Sequence, residues 1–209
     1  MHRNSVIEFM KRKGVVYILL VIIFTGVTML FWYNEWVYSL PTPVPKNYNV
    51  VHPGDDIQLP SELNWNDNKP VALHFFNPDC PCSRFNVPHF RSLVKEFGKD
   101  VNFAIVVMSD KNYSAGEITD KLKLDLPVLS DTALAALCGV YSTPQAVIID
   151  TKKKLHYRGN YNKSRYCTDK QTNYAYIALE ALLNKNNNAG FSQPDLKAYG
   201  CELPHCIKQ

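Results

Sequence analysis

An uncharged apolar stretch at residues 15–33 does most to limit what this chain can fold into. The stretch is long enough for a helix that crosses a bilayer. Basic residues at positions 11–13 directly precede it, so the positive-inside rule predicts an N-terminus in the cytoplasm and a translocated C-terminal part. We therefore expect residues 1–14 to be a cytoplasmic tail and residues 15–33 to be a retained transmembrane signal anchor. A cleaved signal peptide is the alternative interpretation.

The segment that follows differs in composition from both its neighbours. Residues 34–50 combine aromatic side chains, typical of a membrane interface, with a proline-rich run at 40–45 that favours an extended spacer. We interpret 34–50 as a linker, 51–190 as one domain, and 191–209 as a C-terminal tail that contains cysteines. The length of 51–190 is ordinary for a domain with a single core.

Charge and cysteine usage indicate the compartment. Residues 1–13 hold Arg3, Lys11, Arg12 and Lys13 against Glu8, which is +3 of the formal net charge of +4. The remainder is nearly neutral, so we expect no nucleic-acid partner. All six cysteines follow residue 79, which suits an oxidising compartment. For a bacterial chain this predicts a single-pass protein of the inner membrane whose C-terminal domain lies in the periplasm.

Hydrophobic periodicity predicts alternating strands and helices, and therefore an α/β fold with helices on both faces of a central sheet. Strands are expected at 71–76, 101–108, 127–129, 146–150 and 155–158. Helices are expected at 81–97, 114–123, 132–138 and 171–185.

The motif Cys80-Pro81-Cys82 stands where the first strand turns into the first helix. Unpaired backbone N–H groups and a partial positive charge at a helix N-terminus stabilise a thiolate, which is the attacking species in thiol–disulfide exchange. The alternative is a pair of structural cysteines in a secreted domain. We interpret Cys80 and Cys82 as catalytic.

Two segments resemble the thioredoxin superfamily. Residues 75–84 resemble its strand-to-helix turn, and Ser142-Thr143-Pro144 before a strand resembles its cis-proline loop. The resemblance implies a thioredoxin-like fold with a central mixed sheet, preceded here by one transmembrane helix. It also implies that Cys80 is the nucleophile, that Thr143 and Pro144 bind an extended substrate peptide, and that no cofactor is needed. Membrane-anchored periplasmic thioredoxins and redoxin-like proteins share the long spacing between these segments.

The cysteine pattern departs from that family. An ungapped match puts Ser83 at the second cysteine position and Cys82 one residue early. Cys82 is one candidate to resolve a mixed disulfide on Cys80, and the distant Cys138 or Cys167 is the other. The tail cysteines, Cys201 and Cys206, are expected to bridge each other, or one of them Cys167. Six cysteines permit many pairings, and the sequence alone does not choose among them.

Two further residues are auxiliary candidates. His74 lies six positions before Cys80, where many thioredoxins bury an acid that relays protons; the alternative is a histidine with a purely structural role in the strand. Arg84, in the first helical turn, adds positive potential near Cys80, or is simply a solvated side chain.

The sequence therefore favours a membrane-tethered thiol–disulfide oxidoreductase that acts on protein thiols and disulfides through a Cys80 mixed disulfide, with no bound metal. A copper-binding assembly factor or metallochaperone on the same fold is one alternative, because two close thiolates suit Cu(I). A peroxiredoxin-like peroxidase is another, although the threonine that this family places before its cysteine is absent.

Overall fold

The computed structural model describes residues 2–60, 68–163, 170–184 and 197–203. Residues 2–11, 35, 37–39 and 170 are described by their backbone alone. The chain divides into two units at Leu40 and Pro41. The first unit contains helix α1, His2–Ser39. Within it, Arg12–Asn34 is long and apolar enough to cross a membrane, and its apolar side chains are exposed. The predicted apolar segment is thus one continuous helix that extends beyond both of its predicted ends.

The second unit is built on a five-stranded sheet in the order β3-β2-β1-β5-β6. The strands β1, β2 and β3 are parallel, and β5 and β6 continue the sheet as an antiparallel hairpin. Two further strands, β4 and β7, pair antiparallel in a separate small sheet. The bounds are β1 Val71–Phe76, β2 Asn102–Val107, β3 Val128–Leu129, β4 Ser142–Thr143, β5 Gln145–Ile149, β6 Leu155–Gly159 and β7 Cys201–Glu202.

Helices connect these strands. They are α2 Pro81–Phe85, α3 Val87–Phe97, α4 Ala115–Leu122, α5 Thr132–Leu137 and α6 Tyr174–Leu183, with a 3₁₀ turn at Lys170–Thr172. Local signals explain several boundaries: Ser114 and Glu117 form a capping box at α4, and the Asp131 carboxylate caps α5. The predicted helix over 81–97 is wrong in one respect, because it breaks at Asn86. Pro88 therefore lies in the first turn of α3, where a missing N–H costs nothing.

Alternation along β1 divides the core into two clusters. Ala72 and Phe76 contribute to the cluster that packs α3, α4 and α6, whereas Leu73 and Phe75 contribute to the cluster that packs α5. Every residue of β1 is buried, as expected of a central strand covered on both faces. The predicted α/β class is confirmed, and the mixed sheet with its helices is a thioredoxin-like fold.

Two residues from the predicted linker contact the domain. The Thr42 side chain is buried, and its backbone N–H donates to the Ala198 carbonyl at 2.8 Å. The Tyr48 hydroxyl donates to the Gly139 carbonyl at 2.7 Å. The chain is therefore packed on the domain soon after the second unit begins.

Candidate active site around Cys80

Side-chain and backbone hydrogen bonds fix the turn between β1 and α2. The Asn77 side chain accepts from the Asp79 N–H at 2.9 Å, and the Cys80 N–H donates to the Asn77 carbonyl at 3.1 Å. The buried Ser83 hydroxyl accepts from the Asn77 N–H at 3.2 Å. Ser83, which aligns with the second cysteine of the thioredoxin motif, therefore stabilises the turn. These bonds hold Cys80 at the N-cap of α2 in an extended conformation.

The proline loop lies beside this cysteine. The Thr143–Pro144 peptide bond is cis, as the resemblance implies. The Cys80 Sγ lies 4.0 Å from the Thr143 carbonyl oxygen, and the Cys80 side chain is only 3% exposed. The structure thus brings together the two motifs that carried the resemblance, although they are far apart in sequence.

Cys80 forms a disulfide with Cys201, with Cα atoms 6.3 Å apart. This differs from the expectation that the tail cysteines bridge each other or Cys167, because β7 carries Cys201 alongside β4 and so to Cys80. Cys82 is buried and outside this bridge, yet its sulfur lies within 4.8 Å of both bridged sulfurs. The site therefore contains three cysteine sulfurs, two of them supplied by the Cys80-Pro81-Cys82 motif.

The other cysteines do not join this cluster in the described part of the chain. Cys138 is a fully buried thiol packed among apolar residues of the cluster on the α5 side. Burial raises the pKa of this thiol to about 12, which leaves almost no thiolate at neutral pH. That environment is typical of an inert structural cysteine rather than of a resolving one. Cys167 and Cys206 lie outside the described residues.

An exposed polar cluster surrounds Asp79, the residue before the nucleophile candidate. Its carboxylate accepts from Lys111 Nζ at 2.8 Å, Tyr113 Oη at 2.9 Å and Ser109 Oγ at 3.0 Å. The Lys111 hydrogen bond is the main reason that the pKa of Asp79 falls to about 2, with Tyr113 next. A carboxylate adjacent to Cys80 is thus charged throughout the neutral range and partly neutralised by Lys111.

His74 lies in the core beneath the turn. Its ring stacks on Phe90 with centroids 4.2 Å apart, and its Nδ1 lies 2.6 Å from the Tyr161 hydroxyl oxygen. Burial, together with the nearby His89, lowers the pKa of His74 to about 3, so the imidazole is neutral at pH 7. Its Nε2 has no hydrogen-bond partner in the part of the chain that the structure describes. These contacts favour the structural interpretation of His74.

Arg84 is exposed in α2, which agrees with the alternative interpretation of a solvated side chain. Sequence reasoning missed the partners that shape the site: Lys111 and Tyr113 around Asp79, and Tyr161 on His74. These residues lie in loops distant in sequence, with no pattern of their own. The sequence showed Gly200-Cys201 as a motif in the tail, but it did not indicate which cysteine bonds to Cys201.

The fold and the site define a thioredoxin-like domain with a cysteine motif at its strand-to-helix turn and a cis-proline loop beside it. Residues 49–203 match a family described as "Domain of unknown function (DUF6436)". The match spans most of the chain, so this protein belongs to that family. No curated protein sequence matches the chain.

Solved structures share the fold. An uncharacterised conserved protein from Geobacillus kaustophilus superposes with a TM-score of 0.61 and 21% identity, over 78% of this chain and 97% of that one. A hypothetical protein from Sinorhizobium meliloti 1021 gives 0.56 and 16%, over 66% and 80%. A thiol-disulfide oxidoreductase from Bacteroides fragilis NCTC 9343 gives 0.39 and 14%, over 44% and 72%. The first two likenesses show the fold and nothing further, and the third is too weak to carry a conclusion.

Proposed function

We propose that this protein is a membrane-tethered periplasmic thiol–disulfide oxidoreductase with Cys80 as its nucleophile. The observation that carries the proposal is the position of Cys80, which lies at the strand-to-helix turn beside the cis Thr143–Pro144 bond and within a disulfide. Cys82, within 4.8 Å of that disulfide, is the second thiol of the exchange. Membrane tethering is supported by Arg12–Asn34, and the periplasmic location by a disulfide in the folded domain.

The chemistry follows from thiol–disulfide exchange. The Cys80 thiolate attacks one sulfur of a substrate disulfide, a Cys80–substrate disulfide forms, and the other substrate sulfur leaves as a thiolate that takes a proton. Cys82 then attacks Cys80 Sγ, which forms the Cys80–Cys82 bond and releases the reduced substrate. Run in reverse, the same steps oxidise a substrate dithiol. Thr143 and Pro144 hold the substrate chain by strand addition.

Insulin reduction and trapping test this proposal on the full chain in detergent micelles. The reduced wild-type chain should cleave insulin disulfides with glutathione as the electron source. Cys80→Ser should lower the rate by about 100-fold or more, because Cys80 is the thiol held at the N-cap of α2 beside the cis-proline loop. Cys138→Ala, a change of a thiol buried in the core, is the matched control and should retain the wild-type rate. A Cys80→Ser variant as active as the wild type would refute the assignment.

Trapping tests the role of Cys82. Because Cys201 also bonds to Cys80, the trap is made in a Cys201→Ser background. Without the resolving thiol, the mixed disulfide on Cys80 should persist there, so Cys82→Ser should accumulate substrate-linked protein on non-reducing gels. Peptide mapping of the trapped species should identify Cys80 as the attachment point. If Cys80→Ser accumulates them instead, the two roles are reversed.

A second candidate function rests on the same three sulfurs. Thiolates of Cys80, Cys82 and Cys201 within 4.8 Å of one another are soft ligands that suit Cu(I). Reconstitution of the reduced full chain with Cu(I) under anaerobic conditions, followed by gel filtration and metal analysis, would detect a copper site. Stoichiometric copper that is lost in Cys82→Ser, together with no insulin reduction, would favour this function over the oxidoreductase.

A further inference from the structure

The tail segment, residues 197–203, is held on the domain by specific backbone contacts. The Asn160 side chain donates to the Lys197 carbonyl at 2.5 Å and accepts from the Tyr199 N–H at 3.2 Å. Ala198 is fully buried, and its carbonyl accepts the Thr42 N–H described above. These hydrogen bonds and this burial attach the segment to the domain in addition to its disulfide.

The segment lies where an extended substrate would add to the sheet. Cys201 pairs with Thr143, and Glu202 pairs with Ser142, in an antiparallel ladder directly before the cis-proline. Strand addition gives affinity through such main-chain bonds, while alternate side chains contact the surface and provide specificity. The ladder of β4 and β7 therefore has the backbone pairing that strand addition at this loop would produce.

Gly200 shows how closely the segment approaches the loop. A Cβ at this position would lie far inside van der Waals contact of the Thr143 carbonyl oxygen. The φ angle of Gly200 is +149°, which an L-residue with a side chain rarely adopts. Only glycine permits this approach, and it immediately precedes the cysteine that meets Cys80.

The next residues alternate as in a bound strand. Glu202 is exposed, whereas Leu203 is only 5% exposed and packs with the core cluster on the α5 side. The segment thus presents a glycine to the loop, a sulfur to Cys80, a charge to solvent and an apolar side chain to the core.

We propose that the tail segment is an internal substrate of the oxidoreductase site. Cys201 is then the third redox-active thiol of that site, after Cys80 and Cys82. The inference rests on the function proposed above. In the closed state Cys80 is bonded to Cys201. The Cys82 thiolate attacks Cys80 Sγ, the Cys80–Cys82 bond forms, the Cys80–Cys201 bond breaks, and Cys201 leaves as a thiolate that takes a proton. The number of disulfides is unchanged, so no external oxidant is needed.

The same contacts define the class of external substrate. A client that replaces the tail segment is an extended protein segment with glycine before its cysteine and an apolar residue two positions after it. The backbone of such a segment pairs with β4, and its apolar side chain takes the place of Leu203.

Disulfide mapping of the full chain in detergent, after acid quenching and alkylation, tests the internal bridge. In a glutathione redox buffer the wild type should give peptides linked through Cys80–Cys201 and others linked through Cys80–Cys82. Cys82→Ser should give the Cys80–Cys201 bridge alone. A Cys201 linked only to Cys206 or Cys167, with Cys80 open to alkylation, would overturn the inference.

Glycine substitutions test the strand fit while every cysteine is retained. Gly200→Ala should lower the ratio of the Cys80–Cys201 form to the Cys80–Cys82 form by about tenfold or more, because of the clash with Thr143. Gly54→Ala is the matched control: Gly54 also has a positive φ, +97°, but a Cβ there meets nothing within 4 Å in the described structure. Equal ratios in the two variants would contradict the internal-substrate assignment.

A peptide competition addresses the client class. A synthetic peptide with the sequence of residues 197–203, its cysteine bonded to glutathione, should react with the Cys80 thiolate of the Cys82→Ser, Cys201→Ser double variant. The peptide–Cys80 disulfide forms, the peptide–glutathione bond breaks, and glutathione leaves as a thiolate that takes a proton. The same peptide with alanine in place of glycine should react about tenfold more slowly, for the reason just given. Equal yields from the two peptides would refute the client class.

Insulin reduction separates this inference from the proposed function. If Cys201→Ser and the wild type reduce insulin while mapping finds no Cys80–Cys201 bridge, only the internal-substrate inference fails. If the bridge forms and exchanges with Cys82 but no variant reduces insulin, the oxidoreductase proposal fails and the internal exchange stands.

Discussion

At the scale of single residues, the charged pair next to Cys80 should influence how readily its thiol ionises. Asp79 places a carboxylate beside the nucleophile candidate, and Lys111 partly neutralises it through a 2.8 Å ion pair. A nearby negative charge disfavours a thiolate, and a nearby positive charge favours it. The pair is exposed, so salt should weaken both effects.

Two substitutions at this pair should shift Cys80 reactivity in opposite directions. In the reduced chain, Asp79→Asn should raise the rate of Cys80 alkylation near pH 7 by about two- to fivefold, and Lys111→Gln should lower it by a similar factor. The measurement is the iodoacetamide rate at Cys80, followed by peptide mass spectrometry at low and high salt. Lys152→Gln, in the exposed turn between β5 and β6, is the charge-matched control. Changes of the same sign in both variants would exclude the electrostatic explanation.

Burial of His74 makes stability depend on pH. Its folded pKa, about 3, is below the ordinary value of 6.5, so the unfolded chain binds more protons between these values. The free energy of unfolding should therefore fall as the pH decreases below 6.5, by up to about 1.4 kcal/mol per pH unit from this residue. Urea titrations at pH 7 and pH 5 would measure it.

Comparison with two variants isolates this contribution. His74→Phe removes the titrating group and should reduce the pH dependence of stability. His52→Gln, a change of an exposed histidine, should leave it unchanged. An undiminished pH dependence in His74→Phe would assign the effect to partly buried histidines, such as His89, whose pKa is also lowered by burial.

At the scale of elements, the turn from β1 to α2 depends on Ser83. Its hydroxyl is the acceptor for the Asn77 N–H, and Ser83→Ala would leave that donor without it. We expect a loss of about 1 kcal/mol in the free energy of unfolding, measured by urea titration. Ser92→Ala removes an exposed hydroxyl from α3 and should cost less. An equal loss of unfolding free energy in the two variants would mean that the Asn77–Ser83 hydrogen bond contributes no more than an exposed hydroxyl does.

The sequence predicted the positions of strands and helices better than it predicted which distant residues contact each other. Continuous apolar runs identified β1 and β2, because buried parallel strands have that composition. The cis-proline loop was recognised from Ser142-Thr143-Pro144 by resemblance. The break at Asn86 and the two-residue strand β7 could not be predicted, since neither has a hydrophobic period of its own. The partner of Cys201 lies 121 residues away, and no local signal specifies a contact of that range.

At the scale of the whole molecule, the Cys80–Cys201 bridge closes most of the domain into one loop. A loop of 121 residues restricts the unfolded chain strongly, by about 5 kcal/mol in the chain-entropy model. The oxidised wild type should therefore unfold at higher urea concentration than the reduced wild type. In Cys201→Ser the difference between oxidised and reduced samples should shrink by that amount. A difference that persists in full would assign the stabilisation to another disulfide.

The packing of the tail segment also bears on which clients can compete for the cleft. A strand tethered within the same chain is present at a local concentration in the millimolar range, whereas a free client in the same compartment is far more dilute. On the proposed function, a dilute client therefore competes with β7 more effectively when a second contact of its own raises its effective concentration. Selectivity then comes from proximity as much as from the sequence around the attacked cysteine.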